Sequence, residues 1–314
     1  MSLFIVTYHY VRPLKKTKYP NLKALDISKF EKQIQFLKKN TTIIKIEDLD
    51  SIDFKENKNY SVLTFDDGYL DHYKYVFPIL KKNNIQAAFF IPVKNFIDKD
   101  ILLVNKIHFI LEKFFKKENV LEKFINSYLI KENINLNKLK KKWNLKRSKR
   151  KVRNFDNKKV FFIKDLLQNI LPNKHRIRLV NNLFINFVSK NLKKFHEKLY
   201  MSEKHIRDLK NSGMHIGSHG YEHNWYEFMV YNEQKIDIKK SYNILKKRNI
   251  LSNLKTFCYA YGSHNNNSIK ILKNENVKYA FTTVKGSEKN INYNNRLKLK
   301  RYDTNDIKKL NLIN

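Results

Sequence analysis

The chain reads Thr-Phe-Asp-Asp-Gly-Tyr over residues 64–69, where an apolar run that begins at residue 60 comes to an end. A short apolar run bounded by turn residues predicts a buried strand, so the carboxylates of Asp66 and Asp67 should follow a strand end. A second stretch, Ser-His-Gly-Tyr-Glu-His over residues 218–223, follows the apolar residues 214–216 in the same way. The two stretches together offer adjacent carboxylates and two histidines spaced four residues apart.

These residue types suit a metal-dependent hydrolase. One carboxylate and two imidazoles can hold a divalent ion with positions left open for water and substrate, and the second carboxylate can take a proton from that water. His219 and His223 lie four residues apart and can meet on one side of a helical turn. Asp-Asp-Gly is also common turn chemistry, and a single histidine is more often structural than a ligand. Two such motifs at predicted strand ends in one chain favour the catalytic interpretation.

Both motifs resemble those of polysaccharide deacetylases of the NodB-homology type, the carbohydrate esterase family 4. Residues 64–69 are similar to the first motif of that family, and residues 219–223 to its second. The stretch Phe-Cys-Tyr-Ala-Tyr-Gly over 257–262 resembles the third motif, with Ala260 where the family usually has proline. Residues 6–11 resemble the first strand of many members, and residues 299–301 a variant of the last motif. The resemblance covers residues 1–95 and 200–305.

The resemblance implies a role for each matching residue. Asp66 would be the general base that deprotonates the attacking water. Asp67, His219 and His223 would be the ligands of a divalent metal, for which zinc is the favoured ion, and the metal would polarise the acetamide carbonyl. The backbone amide of Tyr261 would help to hold the developing oxyanion.

The chain departs from the family at the position of the arginine that orients the base. Cys258 stands there, so Arg301 is the candidate to supply the positive charge from a different strand end, after a strand-like run at 297–299. We therefore predict that the Arg301 guanidinium lies within hydrogen-bonding reach of the Asp66 carboxylate. The alternative is a surface arginine that continues the basic tail formed by Lys298 and Lys300.

The late histidine that acts as general acid in the family has no clear match after Gly286. His9, at the end of the first predicted strand, is the best substitute by position. For His9 the roles of acid, substrate contact and buried structural histidine all remain open. His264 lies in a polar loop and is the weaker candidate, with solvent exposure as the favoured interpretation.

Strand and helix signals alternate along both flanks of the chain. Strands are predicted over 3–8, 60–65, 87–92, 214–218, 256–261 and 279–283, and helices over 27–40, 69–84, 203–211, 233–248 and 268–274. Such alternation predicts a parallel sheet, and site residues that follow strand ends suit a barrel whose catalytic groups gather on one face. The expected fold is an irregular, incomplete (β/α) barrel, as the resemblance also implies.

Residues 96–200 differ from the flanks because they are rich in lysine, asparagine and apolar residues and contain almost no glycine. Helical periodicity over 101–115, 120–130, 160–170 and 175–187 predicts a helical insertion, which leaves residues 1–95 and 201–314 as the barrel. Its most basic part, residues 138–151, is expected to be a solvated face, with contact to an anionic substrate or membrane as the alternative.

Composition limits the location and the partners. The 314 residues include a single cysteine, which fits a reducing compartment, and the apolar run at 3–6 is too short for a signal peptide. A cytoplasmic protein is therefore expected, with peripheral attachment to the inner face of the membrane as an alternative left open. The net charge of +35 favours anionic partners, but an AT-rich genome, indicated by abundant lysine and asparagine along the whole chain, is the favoured explanation of that charge. An anionic membrane surface ranks above nucleic acid, for which no binding module is visible.

These observations lead to one functional prediction and two alternatives. The prediction is a metal-dependent hydrolase that removes N-acetyl groups from an amino sugar, lipid-linked or nucleotide-linked, in surface polysaccharide or glycolipid biosynthesis. The first alternative is a hydrolase of a non-carbohydrate C–N bond with the same fold. The second is a catalytically inactive glycan-binding homologue, because two family motif residues are missing.

Overall fold

A computed structural model describes residues 2–55, 58–148 and 157–309. The chain divides into two compact units. The first comprises Met1–Pro13, Ala24–Asp100 and Glu197–Asn314, and the second comprises Leu14–Lys23 and Ile101–His196. Within the described ranges, none of the helices combines the length and the apolar character that crossing a membrane requires.

The first unit is built on a parallel sheet of eight strands. They are β1 (Leu3–Tyr8), β2 (Thr42–Ile43), β3 (Tyr60–Phe65), β4 (Ala88–Ile91), β5 (His215–Ser218), β6 (Thr256–Cys258), β7 (Tyr279–Phe281) and β8 (Tyr302–Asp303). The order is β7-β6-β5-β4-β3-β1-β8, and β2 pairs with the start of β3. Helices surround this curled, open sheet, which confirms the predicted incomplete (β/α) barrel.

The helices lie between the strands and in the second unit. In chain order they are α1 (Ile27–Asn40), α2 (Phe77–Lys82), α3 (Val93–Ile97), α4 (Leu103–Lys113), α5 (Glu118–Lys131), α6 (Leu136–Ser148), α7 (Lys158–Asp165), α8 (Asn173–Phe187), α9 (Leu192–Leu199), α10 (Glu203–Asn211), α11 (Tyr231–Lys247) and α12 (Asn266–Asn274). The side chains of Asp26 and Ser202 cap α1 and α10 by accepting bonds from the backbone N–H groups of Ser28 and His205.

Strand β1 shows how the sheet is buried on both faces. Its side chains alternate between two apolar clusters, as the two-residue period of a strand requires. Phe4, Val6 and Tyr8 pack in the cluster that contains α1, whereas Leu3 and Ile5 pack in a second cluster with residues of β6 and β7. This double burial explains why the strand reads as a continuous apolar run.

The second unit is helical and has its own aromatic core. The ring of Phe195 meets the rings of Phe109 and Phe184 edge-on, each at a centroid distance of 4.9 Å. Tyr19 joins this group through an edge contact of 4.7 Å with Phe109. The basic run predicted over 138–151 falls in α6 up to Ser148, and its last three residues lie outside the described ranges.

Several predicted elements differ from the observed ones, and three of them lie near the predicted site residues. The strand predicted over 256–261 ends at Cys258, and a 3-10 turn, Ala260–Gly262, follows it. The helix predicted over 69–84 is a π-helical segment, His72–Val76, that continues into α2. The run 297–299 does not form a strand; Leu299 makes a single bridge to Phe281, and β8 begins only after Arg301.

Candidate active site and metal centre

The carboxyl ends of neighbouring parallel strands bring the predicted site residues to one edge of the sheet. Asp66 and Asp67 follow β3, His219 follows β5, and His9 follows β1. The register aligns Tyr8 with Phe65 and Ile91 with Ser218, so these strands end at nearly the same level. Loops at this edge can therefore present side chains to one shared space.

Asp67, His219 and His223 form a buried cluster whose ligand atoms all lie within 4.8 Å of one another. The Oδ1 atom of Asp67 is 3.4 Å from Nε2 of His219 and 3.1 Å from Nε2 of His223. Neighbouring ligand atoms around tetrahedral zinc are about 3.3–3.6 Å apart when the bonds are about 2.0–2.2 Å long. The measured separations are close to this range, so one ion can reach all three atoms.

Hydrogen bonds from the surroundings orient two of these side chains, Asp67 and His219. Tyr69 donates its hydroxyl to Oδ2 of Asp67 at 2.5 Å, which leaves Oδ1 facing the histidines. The Nδ1 atom of His219 lies 2.6 Å from the carbonyl oxygen of Cys258 and must donate to it, so in the neutral ring Nε2 carries the lone pair. Among the described residues, Oδ1 of Asp67 has no hydrogen-bond partner although it is buried. The donor set and this unsatisfied oxygen fit a bound cation.

Asp66 and Arg301 form a two-pronged ion pair, as predicted. Nη1 and Nη2 of Arg301 donate to Oδ1 and Oδ2 of Asp66 at 3.0 and 2.7 Å. Both side chains are about 1% exposed, so the arginine is not part of a surface tail. Burial alone would raise the pKa of Asp66, but the charge of Arg301 outweighs it and lowers that pKa. The carboxylate therefore stays ionised.

Several neighbours fix the geometry of this ion pair. Arg301 also donates from Nε to the carbonyl oxygen of Thr282 at 2.8 Å, and from Nη1 to Oγ1 of Thr64 at 3.0 Å. Thr7 donates its hydroxyl to Oδ2 of Asp66 at 3.2 Å. The thiol of Cys258, whose pKa is raised by burial, lies 3.4 Å from the same oxygen as a donor.

The two histidines considered for the acid role lie in different environments. His9 has 44% of its side chain exposed, and its Nε2 atom is 3.9 Å from Oδ2 of Asp66. It is therefore not a buried structural histidine. His264 is half-buried rather than exposed, because its ring stacks on Tyr259 at 4.9 Å and its Nδ1 atom pairs with the carbonyl oxygen of Gly262.

Three of the predicted site residues have left-handed backbone conformations that residues other than glycine rarely adopt. Their φ values are 74° for Asp67, 59° for His223 and 59° for Tyr261. The ring of Tyr261 lies 4.7 Å from that of His223, at the edge of the cluster formed by Asp67, His219 and His223. Residues held in sparsely populated conformations tend to cluster at functional sites, where the surrounding structure holds them in place.

Sequence reasoning did not assign roles to several residues that shape the site. Tyr69 lies within the first motif, and its position two residues after Asp67 was the only signal that could have identified it. The carbonyl of Cys258 is a backbone group and carries no side-chain signal. Thr7 could be placed on the inner face of β1 by alternation, whereas the contact of Thr64 with Arg301 depends on tertiary structure.

The sequence profile of the family described as "Polysaccharide deacetylase" matches residues 54–109 and 155–280, which is more than half of the chain. The chain belongs to the polysaccharide deacetylase family. It is accordingly a deacetylase-type hydrolase that acts on carbon–nitrogen bonds, and its family implies an N-acetylated sugar as the substrate. No curated protein matches the chain.

Solved structures share the fold at low sequence identity. The Streptococcus pyogenes deacetylase PplD, in complex with acetate, is 17% identical with a TM-score of 0.56, over 96% of this chain and 92% of that one. IcaB from Ammonifex degensii is 16% identical with a TM-score of 0.57, over 98% and 95% of the two chains. The de-N-acetylase from Aggregatibacter actinomycetemcomitans is 16% identical with a TM-score of 0.54, over 97% and 96%.

Proposed function

We propose that this protein is a metal-dependent deacetylase that removes N-acetyl groups from an amino sugar, leaving a free amine and acetate. The observation that carries the proposal is the pairing of two differently held carboxylates. Asp66 is kept ionised by Arg301, whereas Asp67 faces two histidines. Separate environments for adjacent carboxylates support separate roles, one as base and one as ligand.

Asp67, His219 and His223 would hold the metal, and zinc is the ion that this ligand set favours. When bound, the ion supplies Lewis-acid polarisation of the acetamide carbonyl and acidifies water. The donation from His219 to the Cys258 carbonyl fixes the tautomer that ligation needs. Tyr69 holds the Asp67 carboxylate in the orientation that points Oδ1 at the histidines.

The remaining site residues would move protons and hold charge. Asp66 would accept the proton of the attacking water, and the fork of Arg301 would fix the direction of its carboxylate. His9, exposed beside Asp66, would protonate the leaving amine. The backbone amide of Tyr261 would help to hold the oxyanion.

The domain assignment and the biological setting are also proposals. All seven proposed site residues lie in residues 1–95 and 201–314, which supports assigning the chemistry to this part and treating 96–200 as a separate helical insertion. A single cysteine supports a cytoplasmic location, where a lipid- or nucleotide-linked sugar for surface polysaccharide or glycolipid synthesis would be the substrate. The net charge of +35 supports an anionic membrane surface as a further partner.

The deciding experiment measures acetate release by the zinc-loaded protein from a panel of N-acetylated sugars, with non-carbohydrate amides in parallel. The S. pyogenes structure is described as a complex with acetate, which supports acetate as the product to assay. Turnover of sugars but not of the other amides is expected. Turnover of the other amides alone would indicate the alternative C–N hydrolase, and metal binding without any turnover would indicate a glycan-binding homologue.

A further inference from the structure

The carboxylate of Asp237, on helix α11, lies beneath the loop that joins the two histidines of the proposed metal site. It is 5% exposed and accepts four hydrogen bonds, two from this loop and two from residues that follow His223. Oδ2 accepts from the backbone N–H of Tyr221 at 2.9 Å and from the hydroxyl of Tyr226 at 2.6 Å. Oδ1 accepts from the backbone N–H of Glu222 at 3.0 Å and from the side-chain amide of Asn224 at 3.3 Å.

The donors of these four bonds lie on both sides of His223 in the sequence. Glu222 precedes the histidine and Asn224 follows it, and both donate to the same oxygen of Asp237. His223 itself has a φ of 59°, a conformation that costs a non-glycine residue about 1 kcal/mol or more unless its neighbours enforce it. The bonds to Asp237 provide such enforcement, because they fix the peptide groups next to the strained residue.

Gly220 allows the carboxylate to come this close. A Cβ atom at residue 220 would lie 2.5 Å from the Tyr226 hydroxyl and 2.9 Å from Oδ2 of Asp237. The φ of Gly220 is +76°, which also favours glycine. A side chain at this position would therefore push Asp237 away from the loop.

We propose that Asp237 is a positioning residue that holds His223, and with it the histidine pair, in the geometry that binds the metal. This inference rests on the proposed function, since it concerns the same metal site. Partners of ligating residues typically change metal affinity 10- to 100-fold when they are altered. Asp237 would act in this way through the loop rather than through a direct bond to a ligand ring.

The test is the affinity of the metal-free full-length protein for Zn²⁺, measured by competition with a chelator, together with the visible spectrum of the Co²⁺ form. Asp237→Asn places its amide nitrogen against the backbone N–H of either Tyr221 or Glu222, whichever way it is oriented, so at least one backbone N–H of the loop loses its acceptor. We expect about 10- to 100-fold weaker zinc binding and an altered Co²⁺ spectrum. Tyr226→Phe removes only one bond and should weaken zinc binding by a smaller factor. This second variant still tests the inference if Asp237→Asn does not fold.

The matched control is Glu288→Gln. Glu288 is equally buried and accepts a backbone bond from Lys300, but it pairs with Leu3 at the start of β1, away from the strand ends that carry the site. This variant should destabilise the fold without changing zinc affinity. Unchanged zinc affinity in Asp237→Asn or Tyr226→Phe, or an equal loss in Glu288→Gln, would overturn the inference. A wild-type protein that binds no metal would instead overturn the proposed metal site, on which the inference depends.

Discussion

Asp66 and Asp67 are adjacent in the sequence, yet their carboxylates have different neighbours. Asp66 receives the guanidinium of Arg301, while Asp67 receives a tyrosine hydroxyl on one oxygen and faces imidazoles with the other. The first arrangement would keep the proposed base ionised, and the second would orient the proposed metal ligand. Single-residue substitutions can therefore separate the two roles.

Replacing the base should remove turnover and leave metal binding intact. In Asp66→Asn the side chain keeps its size but can no longer accept a proton from water, so kcat should fall on the order of 10²-fold or more. Zinc content, measured by atomic absorption after gel filtration, should stay at the wild-type level. In the control His219→Ala, both zinc and activity should be lost. If the two variants lose zinc equally, the carboxylates have been assigned wrongly.

Replacing Arg301 by lysine should impair activity although the charge is kept. The guanidinium makes four hydrogen bonds in fixed directions, and an ammonium at one point cannot reproduce the two-pronged contact with Asp66. We expect kcat to fall by about 10-fold or more, and the unfolding midpoint in urea to fall because buried acceptors lose their donors. Lys300→Arg, at the neighbouring exposed position, is the control. Unchanged turnover in Arg301→Lys would show that the fork plays no part in orienting the base.

Individual residues also show how far sequence reasoning reaches. The contact between Arg301 and Asp66 was predicted, because the absence of an arginine at position 258 required another cation near the base. The predicted strand before Arg301 was wrong, since residues 297–299 form no strand. Its backbone N–H donates to the carbonyl oxygen of Val284, in the segment after β7. Such a pairing depends on tertiary structure and has no local sequence pattern.

Among the elements, those buried on both faces were predicted best. Strands β1 and β3 have the predicted bounds, because a continuous apolar run with turn residues after it is a strong signal. Strands β2 and β8 were not predicted; each has two residues and exists only by pairing with a longer neighbour. The π-helical segment His72–Val76 has the same apolar periodicity as an α-helix and could not be told apart from it.

That π-helical segment contains a buried histidine whose titration should affect stability. His72 donates from Nε2 to the carbonyl oxygen of His9 at 2.7 Å and packs among the rings of Phe65, Tyr69 and Phe89. Burial lowers the pKa of His72 to about 4. The unfolded chain, with an ordinary pKa near 6.5, binds a proton in the window between these values while the folded chain does not.

Stability should therefore fall as the pH drops from about 6.5 to about 4, by about 3 kcal/mol from this group if the whole difference is expressed. Urea unfolding at a series of pH values measures it. His72→Gln keeps a donor for the His9 carbonyl but cannot titrate. It should therefore lose less stability on acidification than the wild-type protein, although it should be less stable than the wild-type protein at pH 7. Parallel pH profiles for the two proteins would contradict this assignment.

Across the whole molecule, the charge is distributed unevenly. The second unit holds about a third of the chain and carries 29 of the 64 lysine and arginine residues, but only 6 of the 29 acidic residues. A general bias of the genome towards lysine codons would raise the basic content of both units alike and would not deplete acidic residues in one. The asymmetry supports the proposal that a basic surface on the helical unit would meet the anionic partner.

Helix α6 is the clearest place to test this surface, because Lys138, Lys140 and Lys141 are all exposed. The protein should co-sediment with vesicles that contain about 30% anionic lipid and not with neutral vesicles, and about 0.5 M salt should release it. Replacing the three lysines by glutamate should weaken binding on the order of 100-fold, since each basic residue near the surface contributes about 1 kcal/mol. The matched control replaces the exposed Lys235, Lys246 and Lys247 of α11, which gives the same change in net charge on the first unit. Equal weakening in both variants would mean that net charge, rather than the helical unit, drives the attraction, and no binding to anionic vesicles would exclude the membrane as a partner.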